Sequence, residues 1–144
     1  MSKSSTQAQL HQFLQTVESL AELRGILKYH KVIGRTVTYV PVANAQGVFS
    51  GSSVLAGRCG EIQTEDYQKG EPFLCAMLVG SQTGIPGSGF FAHARKLGCK
   101  IGNDPVSEFL FWAGQMNALG VSFPAEAMAT AAALGITEPQ IAGA

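Results

Sequence analysis

The stretch Phe73-Leu74-Cys75-Ala76-Met77-Leu78-Val79, followed by Gly80-Ser81-Gln82-Thr83-Gly84-Ile85-Pro86-Gly87-Ser88-Gly89 and then Phe90-Phe91, decides how the rest of the chain reads. The seven apolar residues 73–79 are bounded by Lys69-Gly70-Glu71-Pro72 and by glycine. That length and those flanks predict a buried strand. Residues 80–89 hold four glycines and one proline, which predicts an irregular loop. Phe90, Phe91, Ala94 and Leu97 then resume helical spacing, and Gly98 stands where a helix would stop.

Working outward toward the C-terminus, Asp104-Pro105 is a helix start, with Asp as N-cap and Pro in the first turn. Glu108 favours the positive end of that helix. Phe109, Leu110, Trp112, Ala113, Met116 and Leu119 supply its apolar face, and Gly120 ends it. Residues 124–134 read as an Ala-rich helix, and residues 136–144 as a mobile tail. Toward the N-terminus, residues 9–31 read as a long amphipathic helix carrying Leu10, Phe13, Leu14, Val17, Leu20, Leu23, Ile26 and Leu27. Residues 1–8 read as frayed. Thr36-Val37-Thr38-Tyr39-Val40 is a short strand that Pro41 stops. Residues 42–48 suit a short helix closed by Gly47. Ser50-Gly51-Ser52-Ser53 offers N-caps for a helix over 54–67, which Gly57 and Gly60 either weaken or let approach another backbone closely. The expected fold is α+β: mostly helical, with a small sheet of two or three short strands on an amphipathic helix set, in one domain over residues 9–135.

Composition narrows the function. The chain has 144 residues, 46% hydrophobic and 14% charged, with a formal net charge of zero. Disorder and coiled coil are excluded. A protein built to coat nucleic acid would carry excess Lys and Arg, so nucleic acid is the less favoured partner. Zero charge gives little colloidal repulsion, and with the long first helix this predicts a homo-oligomer. No apolar run is long enough for a membrane span, and the polar start is not a secretory signal. Cys59, Cys75 and Cys99 are odd in number and lack a CxxC pair, which predicts free thiols in a reducing cytoplasm. With His11, His30 and His93 they show no paired metal-ligand spacing, so neither a metal nor another cofactor is expected.

The loop is the candidate site. Small residues leave backbone amides bare, and a loop that opens a helix adds the positive dipole end. Thr83, Gly84, Gly87, Ser88, Gly89 and Phe90 are therefore expected to hold a phosphate or carboxylate. His93, one turn into the helix, would reach the same ligand. Arg35 and Tyr39 on the short strand, joined by Arg58, would stack on a base and pair with a phosphate. Each has a plainer explanation: a chain-reversing turn, a surface histidine, an edge strand. The loop lacks the Gly-Lys-Ser/Thr of a Walker A motif. Gly87-x-Gly89-x-x-Ala92 matches a relaxed dinucleotide fingerprint, but no second βαβ strand follows. Carboxylates cluster only at Glu61, Glu65 and Asp66; Glu61 and Glu65, i,i+4 on one helical face, suit solvation as well as metal binding. No HExxH, GxSxG or Cys-His pair is present, and no catalytic residue is assigned.

Arg35-Thr36-Val37-Thr38-Tyr39, the apolar strand, and Thr83-Gly84-Ile85-Pro86-Gly87-Ser88-Gly89-Phe90-Phe91 together resemble a family of small bacterial and phage proteins. That family carries a TITY segment and a TGxPGxGF loop, and the resemblance spans roughly residues 33–116. The layout also resembles the winged-helix half of alkylguanine-DNA alkyltransferase-like proteins, which implies a winged-helix-like shape. The Pro-Cys-His-Arg nucleophile motif of those proteins is absent, so alkyl transfer is not implied. The leading expectation is a non-enzymatic binder of a small anionic, nucleotide-like ligand, with a phage-type sequestering role implied by the resemblance. The alternatives are a winged-helix-like DNA- or protein-binding regulator and an enzyme with an unrecognised site.

Overall fold

The computed structural model describes residues 3–144. Met1 and Ser2, part of the stretch expected to be frayed, lie outside the described residues. Residues 3–8 belong instead to α1 (Lys3–Ile33). Gly34, at φ +73°, turns the chain into β1 (Val37–Thr38). Then come α2 (Tyr39–Gln46), closed by left-handed Gly47, and α3 (Ser53–Lys69), closed by left-handed Gly70. A 3₁₀ turn (Leu74–Met77) leads into β2 (Leu78–Val79). The remaining helices are α4 (Ser88–Leu97), α5 (Pro105–Leu119), α6 (Ala125–Ala133) and α7 (Glu138–Ala142). The protein is mostly helical with a two-stranded parallel sheet, so the α+β class holds. Val37 pairs with Leu78 and Thr38 with Val79.

The apolar segment 73–79 is buried throughout, but most of it is 3₁₀ turn rather than strand. Its polar backbone explains why. A buried amide needs a partner, and β1 reaches only the end of the segment. Helices supply the rest. The Phe73 N–H donates to Gln115 Oε1 at 2.8 Å, and the Leu74 N–H to Asp66 Oδ2 at 3.0 Å. The Ala76 carbonyl accepts from Trp112 Nε1 at 2.8 Å. Trp112, Phe109, Ala113 and Met116 of α5 are fully buried around it. Phe73, Phe90 and Phe111 pack ring on ring at its start.

Of the three clustered carboxylates, Asp66 points into the core. It is fully buried, and its Oδ1 accepts from Arg24 Nη1 at 2.9 Å. The same guanidinium reaches Glu65 at 2.6 Å. Arg24 therefore ties α1 to α3, with Leu23 and Leu27 buried alongside. In the first half of α1, Leu10, Phe13, Leu14 and Val17 are exposed. No helix among the described residues is long and apolar enough to cross a membrane.

Residues 136–144, expected as a mobile tail, form α7 and pack on α5. Thr137 and Gln140 make a reciprocal capping box, Ile136 and Ile141 are buried, and Asn117 Nδ2 donates to the Ile141 carbonyl at 2.8 Å. The signal was present in Thr137-Glu138-Pro139-Gln140, a capping residue followed by an early proline.

Candidate functional site

The glycine-rich loop divides into two parts with different roles. Its first part is bonded internally. The Gly80 N–H donates to the Ile85 carbonyl at 2.9 Å, and the Gly84 N–H to the Gly80 carbonyl at 2.9 Å. Thr83 Oγ1 accepts from the Ile85 N–H, and the Thr83 carbonyl accepts from Thr130 Oγ1 at 2.8 Å. Gly84 has φ +71°, and a Cβ there would stand 2.3 Å from the Ala127 nitrogen. Glycine is needed at 84 so that α6 can approach, not a ligand. Thr83 and Gly84 therefore leave the candidate site.

The second part opens on a cavity of about 540 Å³ between α3 and α4. Gly87, Ser88 and Gly89 form one lip and Ser50 and Gly51 the other; all five are exposed. Leu55, Gln63, Cys75, Leu78 and Phe90 make its buried floor. Tyr39, Cys59 and His93 complete the wall. The size falls in the roughly 300–1,000 Å³ span of small-ligand pockets.

Two helices begin at this cavity. Ser52 caps α3 by accepting the Leu55 N–H, and Gly87 occupies the N-cap of α4 without offering a side chain. The amides of Ser88 and Gly89 have no acceptor within their own helix. The Gly87 N–H donates to Tyr39 Oη at 2.8 Å, which pins the start of α4 to the start of α2, just past β1. Burial pushes the Tyr39 hydroxyl above its ordinary pKa, so it stays protonated, with its own proton available to a ligand. No Cβ contact is found at Gly89 within 4 Å, so the approach to that backbone is open.

Two further side chains are set by bonds that leave one atom free. Gln63 is 2% exposed; its Nε2 donates to the Phe90 carbonyl at 3.1 Å, and Oε1 accepts from no protein group. His93 Nε2 lies 3.0 Å from Thr64 Oγ1, which itself donates to the Gly60 carbonyl at 2.9 Å. Thr64 has one proton and has spent it, so it accepts from Nε2–H. With the proton on Nε2, Nδ1 is the acceptor of the ring. A Cβ at Gly60 would meet this ring at 3.4 Å, an ordinary van der Waals contact. No backbone approaches the α3 glycines: a Cβ at Gly60 would meet only the imidazole, and one at Gly57 nothing within 4 Å.

Cys59 and Cys75 both reach the cavity as free thiols. The Cys75 sulfur sits 3.5 Å from the Cys59 carbonyl oxygen. The neighbouring thiols shift each other in opposite directions: the side-chain contact lowers the Cys59 pKa and, followed by burial, holds that of Cys75 well above the ordinary range.

The sequence-based residues therefore sort cleanly. Gly87, Ser88, Gly89, Phe90, His93 and Tyr39 come together at one cavity. Arg58 does not line it: its guanidinium bonds Gln46 Oε1 at 2.9 Å, bracing α3 against α2. Arg35 is exposed and lines no part of it. Gln63, Cys59 and Cys75 were missed. Nothing in their local sequence marks them, because two elements separated in the chain, α3 and the 3₁₀ turn, bring them to the same cavity. The Ser50-Gly51-Ser52-Ser53 capping turn was the available signal for the second lip. Among the described residues no group of three His, Cys, Asp or Glu side chains could hold a metal ion. Comparison of the chain with protein-family models, with curated proteins and with solved structures gives no match.

Proposed function

We propose that the α3–α4 cavity binds a small anionic, nucleotide-like ligand, and that the protein acts by holding this ligand rather than by transforming it. The observation that carries the reading is the convergence of bare α4 amides with a buried, half-satisfied Gln63 on one cavity. Helix-start amides favour a negative group at the lip. An acceptor left unpaired in the floor favours a ligand N–H or O–H. Leu55, Leu78 and Phe90 supply the apolar contact that a ring needs. A phosphate at one end and a heterocycle with hydrogen-bond donors at the other answers all three demands. A phage-type sequestering role belongs to the same proposal, as does self-association through the exposed Leu10, Phe13, Leu14 and Val17 stripe of α1.

The winged-helix-like regulator is supported less, since β1 and β2 run parallel and offer no hairpin to serve as a wing. The His93–Thr64–Gly60 relay favours a second reading, an enzyme in which His93 Nδ1 takes a proton from the bound ligand. Calorimetry against mononucleotides, the matching nucleosides and inorganic phosphate tests the binding reading. Nucleotides should bind more tightly than either part alone, and chromatography of the incubated nucleotide should return it unchanged. Absence of binding by every mononucleotide sinks the proposal; turnover moves the assignment to the enzyme.

A further inference from the structure

We propose that Cys59 and Cys75 are a peroxide-reactive dithiol, oxidised to an intramolecular disulfide at the floor of the cavity. This does not depend on the nucleotide reading. Both thiols are free and both reach the cavity, from separate elements. Cys75, on the 3₁₀ turn, lies against the turn of α3 that carries Cys59, with its sulfur 3.5 Å from the Cys59 carbonyl. The cavity gives a small oxidant a path that the core otherwise denies.

The two sulfurs are not equivalent. Cys59 is half-buried and open to the cavity, whereas the Cys75 S–H is engaged by the Cys59 backbone carbonyl; contact with Cys75 also lowers the Cys59 thiol pKa. Cys75 is buried and its thiol is held protonated. Cys59 is therefore the attacking sulfur and Cys75 the resolving one. In the first step the Cys59 thiolate attacks one oxygen of hydrogen peroxide; the O–O bond breaks, Cys59 becomes a sulfenic acid, and the departing hydroxide takes a proton to become water. In the second step Cys75 sulfur attacks the Cys59 sulfur, the S–O bond breaks, and the Cys75 proton leaves with the hydroxyl as a second water. Two electrons pass from the thiols to the peroxide, and a thiol reductant restores the pair.

The third cysteine is an internal control. Cys99 is half-buried, lines no part of the cavity, and burial raises its thiol pKa. Trypsin separates the three, placing Cys59 in residues 59–69, Cys75 in 70–95 and Cys99 in 97–100. The reduced full-length protein is treated with hydrogen peroxide, alkylated, digested and analysed by mass spectrometry. Peptides 59–69 and 70–95 should appear joined, at a rate about tenfold above loss of the Cys99 thiol. In Cys75→Ala, Cys59 should be trapped by a dione as the sulfenic acid. The wild-type measurement stands without that variant should it fail to fold. Oxidation of Cys99 ahead of the pair, a cross-link between chains, or accumulation of Cys59 sulfinic acid without the joined peptides overturns the inference.

Discussion

Tyr39 accepts the Gly87 N–H through its hydroxyl at 2.8 Å across 48 residues of chain. The first residue of α2 therefore fixes the first turn of the helix whose amides face the cavity. Tyr39→Phe removes the acceptor and leaves the ring in place. Urea unfolding should show a loss of about 1 kcal/mol, the ordinary worth of such a bond. Ligand affinity should change with it, because Gly87 is then free to move the lip.

The buried ion pair makes a larger demand. Arg24→Met strands the Asp66 carboxylate, which keeps only the Leu74 N–H. Breaking a buried pair from one side costs about 3–5 kcal/mol, and the loss should appear as a lower urea midpoint. Glu65→Gln removes the more exposed partner of the same guanidinium, 45% accessible at its side chain. It should cost less than about 1 kcal/mol.

What the sequence made legible follows from which interactions are local. The α5 start was readable because Asp104 caps its own helix: Ser107 N–H donates to Oδ1 at 2.8 Å. The left-handed stops at Gly47, Gly98 and Gly120 were readable for the same reason. Burial of residues 73–79 was readable from their hydrophobicity, but their 3₁₀ conformation was not. It depends on Asp66, Gln115 and Trp112, up to 42 residues away. The first half of the loop serves α6 and not a ligand, a distinction the sequence hides because a glycine looks alike whether a phosphate or a helix backbone approaches it. Arg58 was placed at the site by charge alone, while Gln46 offered it a neutral partner.

Asp104 supplies the pH dependence. Its pKa is lowered by the Ser107 hydroxyl, then by the Ser107 and Val106 amides. A carboxylate held below its unfolded value stabilises the fold above that value, about 3.9, and the contribution disappears as pH falls through the folded value. Asn is as good an N-cap as Asp. Asp104→Asn should therefore keep stability near its neutral-pH level and flatten the decline in Tm below about pH 4. Asp104→Ala should lower Tm at neutral pH as well. An acid limb of unchanged steepness in the Asn variant would place the titration elsewhere.

Gly84 and Gly89 lie five residues apart in one loop and should respond in opposite ways. At Gly84 the left-handed φ of +71° and the Ala127 backbone, 2.3 Å from any added Cβ, both forbid a side chain. Gly84→Ala should cost about 2–3 kcal/mol from strain and overpacking, seen in thermal unfolding whether or not a ligand is present. At Gly89 no heavy atom lies within 4 Å of that position and φ is not positive. Gly89→Ala should be neutral or stabilising by a few tenths of a kcal/mol, since Ala favours a helix. Gly89→Val should stay folded while its branches fill the lip, reducing nucleotide affinity about tenfold or more, a loss of about 1.4 kcal/mol. A folded Gly89→Val protein with unchanged affinity would show that ligand does not approach this backbone, and the α4 amides would lose their role.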